Sequence, residues 1–356
     1  MGTSSLYLQE TLFGLDIGHN SLKVMQLEAA SGGFTVKGYG LIGYSEKATA
    51  GGVIVKPNLL SEAIHKLFAG GLVGEITTSQ VALTLPTAHT YSRPMKVPLM
   101  EADGLSEAVH LEAEQYIPLP VNSLYVDWEI SNRNPDSLEL LMVAVPKNIV
   151  DSYMVLLDML ELEPTSIEPA VNADARVLRL TNPPSAASTI LIDFGSVTTD
   201  VAVIDRAISV NSTVSFGSSH ITDLIAKNLK MSPAEADKLK YTHGLSASDK
   251  QTEIFSAIRP ILDAVVAEVR KIIRYYHEHS GKGGQKISQI LTCGGGAAMP
   301  GLNQLIGREL DLPTQLLNPW PMIDFGQLPK PPTAQFPAYI TVTGEACLTK
   351  AEIDND

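Results

Sequence analysis

Asp16-Ile17-Gly18-His19-Asn20-Ser21-Leu22-Lys23 ends an apolar run that begins at Phe13, and Asp193-Phe194-Gly195-Ser196-Val197-Thr198-Thr199 ends one that begins at Ile190. The same order of parts surrounds each. Residues 13–18 read as a strand closed by a turn, residues 22–28 as a second strand, Ser31-Gly32-Gly33 as a hairpin and residues 34–42 as a third strand. Residues 190–195, 199–204 and 207–216 repeat that grammar, with Asp205-Arg206 as the turn. A three-stranded meander is common, but Asp-x-Gly at the same place in both copies marks an internal duplication. The pattern predicts an α/β protein with two related lobes.

Between the copies, residues 58–68 carry Leu59, Leu60, Ala63, Ile64 and Leu67 at helical spacing, and residues 81–85 form a short strand ended by Pro86. Residues 91–163 then hold strands at 92–97, 124–130 and 138–145 and helices at 102–115 and 147–160, the pattern of a small inserted α+β domain. Helices are expected after the second copy at 219–229, 232–241 and 254–279. Ser232, Pro233 and Glu235 give the middle one a helix-start signature. In the long one, Pro260 either starts the main section or kinks it, and Gly281-Lys282-Gly283-Gly284 stops it. A strand at 286–292, a glycine turn, a helix at 299–310, a proline-rich surface loop or linker at 318–337 and a last helix at 339–350 complete the reading.

The length of 356 residues exceeds one ordinary core and implies two or three domains. Hydrophobic residues at 44% and charged residues at 18% are a soluble globular composition. The formal net charge of -13 argues against non-specific DNA or RNA binding. It leaves room for a nucleotide, whose phosphates a few N–H groups and a metal neutralise locally. Cys293 and Cys347 make neither a disulfide framework nor a four-ligand zinc pattern. Residues 1–10 lack signal-peptide features, no apolar run is long enough to span a bilayer, and residues 351–356 are too acidic for a membrane-binding helix. Work at a membrane would therefore need a partner to hold the chain there.

Gly18 leaves room for backbone N–H groups to reach phosphate oxygens. Asp16 at the strand end can hold hydrated Mg²⁺, which takes one or two carboxylates with phosphates and water. Read alone, the loop is first of all a tight turn with a capping aspartate. The second loop adds the Ser196 and Thr198 hydroxyls, and as a duplicate facing the first it lets two carboxylates clamp one metal–phosphate group. Gly294-Gly295-Gly296, between a buried strand and a helix, is either a bare turn or a flat surface for adenine and ribose. It is neither a Walker A loop nor a Rossmann fingerprint, whose third glycine would fall at Met299.

Taken in order, the first Asp-x-Gly, the insertion, the Glu-Pro segment within 167–179, the second Asp-x-Gly and the three glycines resemble the actin superfamily. Within it, Asp16-Ile17-Gly18-His19-Asn20-Ser21-Leu22-Lys23-Val24, Glu112-Ala113-Glu114-Gln115-Tyr116-Ile117-Pro118 with Val126-Asp127, and the helix pair across 216–238 are similar to the PilM family of type IV pilus assembly, relatives of FtsA. The resemblance implies a duplicated, actin-like (ribonuclease H-like) two-lobed fold closing on ATP or ADP with Mg²⁺. It implies that Asp16 and Asp193 hold the metal, and that Gly18, His19, Asn20, Ser21, Gly195, Ser196 and Thr198 contact phosphates. Lys23 either reaches a phosphate or is an exposed strand lysine. Glu235 and Lys238, one helical turn apart, contact ribose and base or pair on the surface. Gly294, Gly295, Gly296 and Met299 frame the adenosine. Glu168 falls where the superfamily orients the attacking water, or is a strand-end carboxylate.

His19-Asn20 replaces the usual Ser-Ser, Pro169 follows Glu168 as in chaperone ATPases, and the C-terminal helix of FtsA is absent. His19 is expected to slow or abolish hydrolysis, so that the nucleotide locks a shape rather than drives turnover. The expected first lobe is 11–90, 164–186 and 336–350, the inserted domain 91–163, and the second lobe 187–335 with 216–284 as a helical subdomain. The family implies an adaptor that serves pilus motor components and docks the N-terminal cytoplasmic peptide of a PilN-like inner-membrane protein. Arg93, Gln115, Tyr116, Pro118 and Leu119 are the candidates for the peptide groove. The alternatives are a polymerising ATPase, a small-molecule kinase of the same fold, and a member that has lost nucleotide binding.

Overall fold

A computed structural model describes residues 11–182, 187–205, 207–279 and 285–348, and its two large sheets repeat the duplication strand for strand. β1 (Phe13–Ile17), β2 (Ser21–Ala30) and β3 (Gly33–Gly43) form the first antiparallel meander. A short hairpin, β4 (Thr49–Ala50) and β5 (Val53–Ile54), precedes α1 (Pro57–Gly70), whose first-turn proline presets the helical φ. After β6 (Val73–Gly74), β7 (Gln80–Leu85) returns parallel to β1. The insertion follows as β8 (Tyr91–Pro98), α2 (Ala102–Tyr116), β9 (Leu124–Arg133) and β10 (Ser137–Pro146), a separate sheet ordered β8-β10-β9. α3 (Lys147–Met159), β11 (Glu163–Pro169) and α4 (Ala170–Thr181) lead out of the first lobe.

The second lobe opens with its own meander, β12 (Ala187–Phe194), β13 (Thr199–Ile204) and β14 (Ile208–Val214). Three helices follow, α5 (Ser218–Leu229), α6 (Pro233–Thr242) and α7 (Gln251–His279), then β15 (Lys286–Cys293), α8 (Leu302–Leu310) and β16 (Thr314–Leu316). β17 (Ile323–Asp324) and α9 (Ile340–Ala346) end the described chain. The first sheet runs β11-β7-β1-β2-β3 and the second β16-β15-β12-β13-β14, the same order in both copies. Leu15 pairs with Leu83 and Asp193 with Cys293, so the chain leaves β7 and β15 beside an aspartate loop.

Four apolar clusters hold these parts. In the first lobe, Phe13, Leu15 and Val24 pack on Leu60, Ile64 and Leu67 of α1, and on Ile149, Tyr153, Leu156 and Leu157 of α3. α3 thus belongs to the first lobe, although its place in the chain put it in the inserted domain. Its apolar stripe shows that it has a buried face, but not which sheet covers that face. The insertion keeps its own core of Val97, Val109, Ala113, Ile117, Leu140 and Met142. In the second lobe, Ile190, Ile192 and Val201 pack on Ile258, Val265, Val269 and Ile272 of α7. Each such fully buried aliphatic side chain contributes roughly 1.5–3 kcal/mol.

The fourth cluster joins the lobes. Met25 and Leu27 meet Leu191 and Ala202 through Val171 and Ala175 of α4 and through Ile340 and Val342 of α9. The hydroxyl of Thr341 donates to Asp174 Oδ1 at 2.8 Å, tying α9 to α4. The proline-rich stretch is no surface linker: Leu317, Trp320, Ile323 and Phe325 are buried in this shared core, and β17 adds parallel to β3 of the first sheet. Irregular aromatic anchors leave no period to read. Pro260 lies inside α7 and does not start it. A 3-10 turn at Gly295–Ala298 stands before α8, which begins three residues later than expected, at Leu302 rather than Met299. The glycine stop at 281–284, Arg206 and both chain ends (1–10 and 349–356) lie outside the described residues.

Candidate functional site

The β1–β2 and β12–β13 loops open into one cleft of about 520 Å³ between the lobes. The first loop contributes Asp16, Gly18, His19, Asn20, Ser21 and Lys23, and the second Asp193, Gly195, Ser196 and Thr198. Gly294, Gly295 and Gly296 form part of the second-lobe wall. In the first loop, Gly18 N–H donates to Ser21 O at 3.0 Å, and the Tyr44 hydroxyl donates to Gly18 O. Lys23 Nζ lies 2.7 Å from Asp16 Oδ2, and His19 Nε2 lies 3.6 Å from Glu46 Oε2. The second loop is stitched to the start of α5: Ser218 N–H donates to Gly195 O at 2.9 Å, Ser219 N–H to Ser196 O at 2.8 Å, and the two serine hydroxyls of Ser196 and Ser219 are 2.7 Å apart.

The carboxylates differ in their state. Asp193 is pushed up to about 7, chiefly by burial, then by Asp200 and Asp16, against the opposing pull of Lys23. Its Oδ1 is buried and has no hydrogen-bond partner among the described residues. Asp200 is pushed up to about 6 by burial, although the Thr213 hydroxyl donates to it. Gly294 makes this crowding workable: its φ is +78°, and a Cβ there would lie 1.9 Å from Asp193 Oδ1. A buried carboxylate oxygen without a partner, opposite a second carboxylate, fits a hard cation. Among the described residues no group of three or more His, Cys, Asp or Glu side chains is placed to hold a metal alone. Mg²⁺ takes one or two carboxylates and fills the rest of its shell with waters and phosphates, so Asp16 and Asp193 are a donor set of the kind it uses.

Four expected residues stand elsewhere. Glu168 is not among the cleft-lining residues; Arg176 binds it through two contacts, Nη1–Oε1 at 2.6 Å and Nη2–Oε2 at 3.0 Å. Glu345, buried beside the pair, has its pKa raised by burial first and by Glu168 second. Glu235 caps its own helix, accepting from Ser232 N–H at 2.9 Å and Ser232 Oγ at 2.7 Å, and Lys238 is exposed. The acid–lysine pair of α6 that reaches the cleft is Asp237 and Lys240, at 2.8 Å, with the same three-residue spacing. Lys240 also donates to Ser218 Oγ at 2.8 Å and Thr222 Oγ1 at 2.7 Å. Met299 is buried in the second-lobe core.

The sequence reading missed the first-lobe end of the cleft. Thr87 and His89, the hairpin glycines Gly51 and Gly52, and Tyr153 of α3 line it; on the second-lobe side the reading also missed Tyr241 of α6, whose hydroxyl donates to Gly295 O at 3.3 Å. Only Gly51-Gly52 carried a local signal.

A second hollow, of about 410 Å³, lies between β8 and α2 on the inserted domain. Arg93 and Gln115 line it, and Arg93 bonds Glu112 at 2.9 Å. The Arg93 guanidinium covers the Tyr116 ring at 4.1 Å. Pro118 and Leu119 follow in the exposed turn after α2, outside the lining. Among the described residues no helix is long and apolar enough to cross a membrane.

Two lobes of one strand order, closing paired aspartate loops against a glycine wall, define the class: an actin-like fold. The family model for type IV pilus assembly protein PilM matches residues 14–349, and the chain belongs to that family. A chain of a PilM-PilN type IV pilus biogenesis complex is 20% identical with a TM-score of 0.81, covering 94% of this chain and 97% of that one. EutJ, the ethanolamine utilization protein of Carboxydothermus hydrogenoformans, is 18% identical with a TM-score of 0.56 over 94% of this chain and 88% of that one. MreB5 of Spiroplasma citri bound to AMPPNP is 13% identical with a TM-score of 0.54, covering 94% of each chain. Among curated proteins, EutJ of Escherichia coli (strain K12) is 24% identical over 152 residues, 40% of this chain and about half (49%) of that relative's length.

Proposed function

We propose that the protein is a nucleotide-binding adaptor of type IV pilus assembly. It holds ATP or ADP with Mg²⁺ in the interlobe cleft, and its inserted domain docks the N-terminal cytoplasmic peptide of a PilN-like inner-membrane protein. That partner keeps it at the inner face of the membrane. Asp16 and Asp193 hold the metal directly or through water, and Mg²⁺, when bound, supplies positive charge against the phosphates. The backbone around Gly18 and Gly195 takes the phosphate oxygens, while Asp237, Lys240, Tyr241 and Gly294–Gly296 wall the nucleoside. The observation that carries this reading is the presence of two separate concavities on one PilM-family chain, one acidic and glycine-walled, the other lined by Arg93 and Gln115. The rival reading, an ATPase that turns over or forms filaments, would use Glu168; its pairing with Arg176 weighs against it.

Fluorescence anisotropy with a labelled PilN-type N-terminal peptide tests the adaptor. Binding is expected with Mg-ATP, weakened about tenfold by Arg93→Ala, the loss of one hydrogen-bonded charged contact. No binding with or without nucleotide sinks the adaptor reading. Steady ATP turnover that Glu168→Ala abolishes would move the balance to the rival.

A further inference from the structure

β7 stops at Leu85, and a 3-10 turn, Thr87–His89, carries the chain along the first-lobe end of the cleft. That turn is firmly held. His89 N–H donates to Pro86 O at 3.0 Å and Thr90 N–H to Thr87 O at 3.1 Å. Thr87 Oγ1 accepts from Val171 N–H in the first turn of α4 at 3.1 Å. The His89 ring rests on the β4–β5 hairpin, where a Cβ on Gly52 would lie 2.6 Å from the ring's Cδ2. Gly52 also has φ of +80°, so the hairpin keeps glycine where the ring sits.

Four basic side chains line the cleft: Lys23, Lys240, His19 and His89. Lys23 is paired with Asp16, Lys240 with Asp237, and His19 faces Glu46. The His89 ring has no hydrogen-bond or ion-pair partner among the described residues. Burial pulls its pKa below the ordinary histidine value, so at neutral pH it presents one N–H and one bare nitrogen. A nucleotide with its base against Gly295 and Tyr241 and its phosphates between Gly18 and Gly195 would occupy the same cleft that the His89 turn lines.

We infer that His89 recognises the terminal phosphate of a nucleoside triphosphate, its ring N–H donating to a phosphate oxygen that a diphosphate lacks. The inference rests on the nucleotide reading of the cleft. His89 thereby sets a preference for triphosphate over diphosphate, and the Gly52 hairpin holds the ring in place.

Isothermal titration of the full chain with Mg²⁺ and either ADP or a non-hydrolysable ATP analogue tests it. His89→Ala is expected to weaken the triphosphate about tenfold, the loss of one hydrogen bond to a charged group, and to leave ADP within about twofold. His89→Gln, which keeps an N–H donor, recovers part of the loss. Gly52→Ala, which displaces the ring, shows the same selective loss. An unchanged unfolding midpoint of each metal-free variant establishes that it folds. Equal weakening of both nucleotides, or of neither, overturns the inference. If the unmodified chain binds neither nucleotide, the nucleotide reading falls and takes the inference with it. If both bind, Asp16→Asn abolishes binding and His89→Ala changes nothing, the inference falls alone.

Discussion

Asp16 and Asp193 hold the same place in two copies of one meander, but the residues opposite them on the neighbouring strand carry opposite charges. Asp16 stands across from Lys23, and Asp193 across from Asp200. The first loop is neutral within itself, with Nζ and Oδ2 at 2.7 Å. The second sets two acids side by side and leaves Asp193 Oδ1 without a partner among the described residues; burial raises both pKa values, and Asp200 adds to the rise at Asp193. Cross-strand pairs of opposite charge stabilise a sheet and like pairs destabilise it. Duplication has kept the strand order and the glycines and reversed the charge at one position. The second loop carries the uncompensated acids, and the first pairs its own charge internally.

Removing the pair in the first loop should give the largest effect. Lys23→Met leaves a largely buried carboxylate alone, and the metal-free protein should lose about 3 kcal/mol in urea unfolding. A loss under about 1 kcal/mol would mean that the loops are not the contrast described. In the second loop the sign reverses. Asp200→Asn keeps an acceptor for the Thr213 hydroxyl and removes the like charge, so at neutral pH the metal-free protein should gain about 1 kcal/mol in the same measurement. Destabilisation there would show that Asp200 already has a compensating partner.

The gentlest test varies pH in the presence of chelator. Asp193 lies at about 7 and Asp200 at about 6 in the folded chain, against an ordinary 3.8. Between those limits the folded state binds more protons than the unfolded state, so the contribution of these two groups to stability falls as pH rises from roughly 4 to 7. Thermal midpoints should show that fall in the unmodified protein and less of it in Asp200→Asn, where the burial of Asp193 still supplies a share. Mg-nucleotide should flatten it, because a cation favours the ionised form.

The two meanders and their loops were legible because they are local. Alternating apolar residues, a glycine turn and a short loop specify a hairpin without help from distant chain. Asp16, Asp193 and the three glycines at 294–296 could be singled out for that reason, and all of them line the cleft. The error on α6 was avoidable. Ser232 followed by Glu235 is a capping signature, and a carboxylate that closes a cap is spent on its own backbone. Asp237 and Lys240 repeat the acid–lysine spacing two residues on, which turns them to another face of the helix. Glu168 could not have been judged in the same way, because Arg176 and Glu345 reach it through the crossing of α4, α9 and the end of β11.

By itself, the sequence determined the duplication, the separate inserted sheet and the aspartate-glycine loops, since each is written in residues close together along the chain. Only the tertiary structure decided which lobe takes α3, that the proline-rich stretch closes the shared core, that Glu168 is tied to Arg176, and that His89 lines the cleft. Those outcomes depend on which surfaces meet. An apolar stripe or a lone charge specifies that it needs a partner, and packing between distant segments chooses which partner it gets.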